Sequence, residues 1–209
     1  MKIAITGTGG VGKTTLANAI AARFDIPVIA ENMQDIVSAV GKMAQINKAN
    51  AADKVKVLLQ LKRDYQNACI AWLNARGEAQ LQTSFVADRF AIDLLARLVL
   101  PTAQKPPEEL VLKVVGECKR QAAMLDLIVM PPLVPLAKSA QSNEKGLQRH
   151  DALSMKLFSH SLNRGLIEQL LKVPRLYLPV SAKTTEARLA LVEKALVKLN
   201  ITPLQLTKH

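Results

Sequence analysis

The sequence predicts an α/β fold: a parallel sheet with helices on both faces. Three observations carry that prediction. Short apolar runs alternate with stretches of helical periodicity along the whole chain. The composition is 49% hydrophobic but only 3% aromatic, so the core must be aliphatic. At 209 residues the chain suits one domain, 1–209, large enough for a sheet covered on both sides.

The elements follow in order. Residues 2–6 (KIAIT) make a short buried strand. A helix runs from Lys13 to about Arg23, with Leu16, Ile20 and Phe24 on one face. The run 27–30 (PVIA) is a second strand ending at Glu31, and helical pattern resumes over 33–44. Along 51–75, Val55, Leu58, Leu59, Tyr65, Cys69, Trp72 and Leu73 share one helix face, with Gly77 as the expected stop. Trp72 and Tyr65 on that face read as core packing, while Lys62 and Arg63 between them read as solvated. A third strand covers 83–87 (TSFVA) and ends at Asp88-Arg89, followed by a helix at about 90–98. Pro106-Pro107-Glu108-Glu109 fits a helix first turn, where proline and acids suit the free N–H groups and the dipole. That helix reaches about Met124, and 125–130 (LDLIVM) is the fourth strand. The polar stretch 136–150 reads as a mobile surface segment before a helix at 151–171. A fifth strand at 175–180, a helix at about 185–199 and an edge strand at 204–206 complete the chain.

Charge and cysteine usage narrow the functional classes. A net charge of +11 and a pI near 9.8 suit anionic partners, from nucleotides to nucleic acid. Nucleic acid lacks further support, since stacking aromatics interleaved with the bases are missing. No apolar run approaches the ~20 residues of a membrane span, and the first apolar stretch is too short for a signal peptide. Cys69 and Cys118 lack metal-like spacing and fit buried small hydrophobes of a reduced, cytoplasmic protein.

The chemistry starts at the first strand's end. Gly7-Thr8-Gly9-Gly10-Val11-Gly12-Lys13-Thr14 fits G-x-x-x-x-G-K-[ST], the phosphate-binding loop, and Thr15 continues into the helix. Glycines let successive N–H groups point inward and clear space for phosphate oxygens. The helix beginning at Lys13 adds its positive end. Lys13 can reach the β- and γ-phosphates, and the Thr14 hydroxyl can hold Mg²⁺. A GTPase is disfavoured: the chain has no N-K-x-D signature, and no Asp is followed by Gly three residues on. Asp126 starts its strand rather than ending it, so it is set aside as a magnesium-binding acid.

The loop, Glu31 after the second strand, Asp88-Arg89-Phe90 after the third, and the basic segment before a helix resemble the P-loop nucleoside and nucleotide kinases. Thymidylate kinases carry a similar Asp-Arg-aromatic element. The chain also resembles the small P-loop ATPase/kinase family that includes the ribosylnicotinamide kinase domain of the NAD regulator. The resemblance implies a three-layer P-loop NTPase fold with a five-stranded parallel sheet ordered 2-3-1-4-5. It implies ATP and Mg²⁺ as cofactors and a lid at 136–150.

Site residues follow partly from chemistry and partly from that likeness. Asp88 can hold Mg²⁺ through water or accept the acceptor's proton, and Arg89 can fork onto a phosphate. A helix N-cap followed by a solvated arginine is the plainer alternative for the pair. Glu31 either begins a helix or, as the resemblance implies, meets the acceptor's hydroxyl or sugar. In the lid-like segment Lys138, Lys145 and Arg149 can close over phosphates, with Arg149 the strongest choice and Arg164 in reserve. Ser181, Ala182 and Lys183 stand where the resembling kinases hold the adenine edge and ribose. The three histidines, His150, His160 and His209, form no metal or catalytic spacing. The expected activity is transfer of the ATP γ-phosphoryl group to a small nucleoside- or nucleotide-like acceptor. The alternatives are a regulatory or assembly ATPase acting on a protein or nucleic-acid partner, and a nucleotide-binding module that barely turns over.

Overall fold

The computed structural model describes residues 1–30, 33, 36, 51–100, 106–133 and 146–201, with the side chains of 51–56, 58 and 146–152 outside that description. Five strands form one parallel sheet: β1 (Lys2–Ile5), β2 (Val28–Ile29), β3 (Phe85–Asp88), β4 (Leu127–Met130) and β5 (Arg175–Tyr177). Their order is β2-β3-β1-β4-β5, as expected. The described helices are α1 (Lys13–Phe24), α2 (Ala51–Ala79), α3 (Ala91–Val99), α4 (Glu108–Ala122), α5 (Gly146–Leu170) and α6 (Thr185–Lys198).

Side-chain alternation along the strands divides the core in two. Ile3, Ile5, Val86, Leu127 and Val129 face Leu16, Ala17 and Ile20 of α1 and Val192 and Leu196 of α6. Ala4, Phe85, Ala87, Ile128 and Met130 point the other way, onto Cys69, Trp72 and Leu73 of α2, Ile92 and Leu95 of α3, Val114 and Cys118 of α4, and Ile167 of α5. Both faces of the sheet are therefore dry, which is why its strands read as continuous apolar runs. Both cysteines are buried free thiols, and burial pushes Cys69 up to about 11.

Two expectations need correction. Helix α2 does not stop at Gly77: it continues to Ala79, with Gln80 N still donating to Arg76 O at 3.0–3.2 Å spacing typical of a helix, 3.1 Å here. Gly77 is buried beside the Arg120 guanidinium, so packing keeps the helix going where propensity alone would end it. Residues 146–150 are not a loop but the first turns of α5. The sequence there permits a helix, since Leu147, Gln148 and Arg149 are good helix formers. Within the expected helical pattern 33–44 only Met33 and Ile36 are described, both buried in the core. The expected edge strand at 204–206, Lys138 and Lys145 lie outside the described residues.

Candidate phosphate site at the carboxyl edge of the sheet

Strand β1 delivers the glycine loop, and its helix starts where the motif says. Gly12 is the N-terminal flanking residue of α1 at φ 84°, a left-handed conformation that glycine adopts without steric cost. Gly7 and Gly10 also take positive φ, 126° and 80°. Gly9 and Gly10 are exposed, and a methyl group at Gly9 would meet nothing within 4 Å, so this side of the loop is open. Thr8 and Val11 are buried, and Lys13 is 4% exposed with its ammonium donating to Thr8 O at 2.8 Å. Thr14 and Thr15 face solvent on the first turn of α1.

The register of the sheet sets Asp88 beside this loop, because β3 pairs with β1 so that Asp88 stands opposite Ile5. The Thr14 hydroxyl donates to Asp88 Oδ2 at 2.5 Å. Asp88 is 1% exposed, and its other oxygen, Oδ1, is buried with no hydrogen-bond partner among the described residues. A hydroxyl and a carboxylate with a spare buried oxygen make an oxygen-only donor set, the kind Mg²⁺ takes, so these residues fit that ion.

Arg89 takes φ 72°, and its guanidinium turns back onto the loop's own backbone. Its Nη1 lies 3.5 Å from Gly7 O and 3.6 Å from Asp93 Oδ1. The sequence reading did not single out Asp93, which is 5% exposed in α3. Its Oδ1 accepts from Gly7 N at 3.1 Å and Asn163 Nδ2 at 3.2 Å, and lies 2.9 Å from the Thr6 hydroxyl. Its Oδ2 accepts from Phe90 N at 3.1 Å, capping the start of α3. One carboxylate thus fixes the root of the glycine loop and ties α5 to it.

Two further arginines brace the rim. Arg76, 3% exposed, donates to Ile29 O at 3.0 Å, Ala30 O at 2.9 Å and Asp88 O at 3.0 Å, and its guanidinium lies over the Trp72 ring. It therefore joins the carboxyl ends of β2 and β3. Arg188, on α6, donates from Nη1 to Val11 O at 2.8 Å and from Nε to Ala182 O at 2.9 Å. Ala182 is buried between exposed Ser181 and Lys183, so this bond ties the segment after β5 to the loop. A charged residue inside an apolar helix run, as at Asp93, was the signal available in the sequence.

The remaining expected positions divide. Asp126 lies before β4, at the opposite edge, where its Oδ2 accepts from Lys2 N at 2.7 Å. Arg149 falls in the first turns of α5, with its side chain outside the described residues, and Glu31 lies outside them altogether. Arg164 sits on the exposed face of α5, paired with Glu168 at 2.9 Å and stacked on Tyr177.

The sequence model of a family described as AAA domain matches residues 2–175. The chain belongs to that AAA-domain family. No curated protein sequence matches it. Among solved structures, a deoxyadenosine kinase from M. mycoides with products dCMP and dCDP superposes with a TM-score of 0.60 at 13% identity. That match covers 95% of this chain and 100% of the kinase. The YorR protein of Bacillus subtilis, in complex with phosphorylated GDP, gives 0.54 at 11% identity over 96% and 97% of the two chains. A thymidylate kinase from Candida albicans gives 0.50 at 12% identity over 96% and 92%. At such identities these likenesses establish the P-loop fold that this AAA-domain chain shares with nucleoside and nucleotide kinases. Among the described residues, no helix is long and apolar enough to cross a membrane.

Proposed function

We propose that the chain, acting as one P-loop unit over 1–209, binds Mg-ATP and transfers its γ-phosphoryl group to a small nucleoside- or nucleotide-like acceptor. The observation that carries this reading is the contact of Thr14 with Asp88 next to an open glycine loop. The proteins of similar fold, described as deoxyadenosine and thymidylate kinases, support the choice of acceptor class.

Phosphoryl transfer asks a protein for placement and charge stabilisation more than for covalent chemistry. The loop amides and the amino end of α1 receive the phosphates. Lys13 lies on that helix's first turn with its ammonium on Thr8 O, within reach of the β- and γ-phosphate oxygens that the loop would hold. Thr14 would hold Mg²⁺, which when bound neutralises phosphate charge. Asp88 would either reach that ion through water or orient the acceptor hydroxyl and take its proton. Arg89 acts through Gly7, keeping the loop's root in shape, while Arg149 on α5 closes over the phosphates. Ser181, Ala182 and Lys183 border the base through the segment that Arg188 ties down, and Glu31 meets the acceptor.

A second reading, an assembly ATPase acting on a protein or nucleic-acid partner, is favoured by the +11 net charge. ADP release separates the two. A kinase spares ATP when alone and consumes it when nucleosides, nucleoside monophosphates or ribosylnicotinamide are added, with Lys13→Ala as the blank. Turnover raised by a polymer and by no small molecule would overturn the kinase reading.

A further inference from the structure

Helix α5 reaches the phosphate loop through one face. Asn163, 2% exposed, meets Asp93 and Thr6, and Ile167, 0% exposed, enters the core. His160 precedes Asn163 by three residues, on the same face and one turn nearer the helix's amino end. Because Asn163 is fixed by two hydrogen bonds, the position of that next turn is fixed as well. The His160 imidazole rests against the loop's first glycine: its Nδ1 is 3.8 Å from the point where a Gly7 Cβ would stand, with Val11 and Met130 at the same distance.

That nitrogen is buried and has no hydrogen-bond partner among the described residues. A buried polar atom without a partner is costly, and in a native protein it calls for an explanation such as a ligand. Burial, with Arg164 and Lys13 nearby, holds the ring below its ordinary pKa of 6.5 and so neutral at neutral pH. A neutral imidazole carries one N–H donor and adds no repulsion to Lys13.

We propose that His160 is a further residue of the phosphate site, its imidazole N–H donating to the terminal phosphate of a nucleoside triphosphate held in the glycine loop. This assignment rests on the reading that the loop binds a triphosphate. It gives α5 a fixed donor at the loop's root. The contact exists only when a third phosphate is present, so it discriminates ATP from ADP.

Calorimetric titration of the full chain with Mg-ATP and Mg-ADP tests it. His160→Ala weakens ATP by about tenfold, as expected for loss of one hydrogen bond to a charged group, and leaves ADP within about twofold. His160→Asn, whose amide keeps a donor near Nδ1, restores most of the ATP affinity. In the wild-type protein the His160 imidazole ¹⁵N signals shift with ATP and not with ADP, a measurement that needs no variant to fold. Equal weakening of both nucleotides, no change in either, or imidazole signals indifferent to ATP would each overturn the assignment. If the wild-type chain binds neither nucleotide, the phosphate-site reading itself falls, a result distinct from an unchanged ATP-to-ADP ratio.

Discussion

Thr14 and Asp88 stand 74 positions apart in the chain, yet the hydroxyl of one donates to the carboxylate of the other at 2.5 Å. The pairing of β1 with β3 makes this so, since it sets Asp88 level with Ile5, two residues before the glycine loop. Asp88→Asn keeps the size and the hydrogen bond but removes the charge. Magnesium-dependent turnover falls by about 100-fold or more, while ADP binding without magnesium stays within about threefold. Steady-state ADP release and calorimetry check the two halves.

Arg76 is a buried cation whose partners are backbone carbonyls at the ends of two strands. Arg76→Met leaves Ile29 O, Ala30 O and Asp88 O without that donor, and stability falls by about 3 kcal/mol. Urea unfolding measures the loss. Arg76→Lys recovers only part of it, because an ammonium cannot fork across the three.

Asp93→Ala strips the acceptor from Gly7 N, Phe90 N and Asn163 Nδ2 together. A cost of about 3 kcal/mol or more is expected, with weaker ATP binding because the loop's root is no longer held. Amide exchange at Gly7 accelerates in the same variant.

How much of this was legible in advance follows from the range of the contacts. The positions of Lys13, Thr14 and Asp88 at the carboxyl edge were readable because they lie in a local motif or at a strand end, and the alternation of apolar runs with helical stretches predicted the parallel sheet, whose order came from the resemblance. The opposite placement of Asp126 was readable for the same reason. The placements of Arg188, Asn163 and His160 were not, because each is set by neighbours far along the chain, such as Val11 for Arg188, 177 residues away. The end of α2 was misjudged at Gly77 since the tertiary bonds of Arg76 and the packing of Gly77 beside Arg120 hold the helix past a residue that usually breaks one. The early start of α5 was hidden by polar residues that suit a loop and a helix alike.

Gly12→Ala places a methyl on a backbone at φ 84°, with the Arg188 Nη1 only 2.9 Å away. The backbone strain costs about 1–2 kcal/mol, and displacement of Arg188 lowers ATP affinity further. Thermal unfolding and calorimetry separate the contributions.

His160 also makes a pH prediction. Its pKa in the folded chain lies below 6.5, chiefly through burial and then through Arg164 and Lys13. The unfolded chain therefore binds the proton more readily, so this residue's contribution is complete above about pH 6.5 and declines as pH falls through the lower folded value. An NMR titration places the imidazole below the ordinary value. Urea midpoints fall more between about pH 7 and pH 5 for the wild type than for His160→Asn.

Arg188 holds Val11 O and Ala182 O with the same guanidinium. The spacing between the glycine loop and the segment after β5 is therefore set during folding, and a nucleotide touching both would meet them already in register. Little ordering entropy would be left to be lost at that moment. Cutting this brace would let the two segments drift apart, and a nucleotide touching both would then have to bring them back together itself.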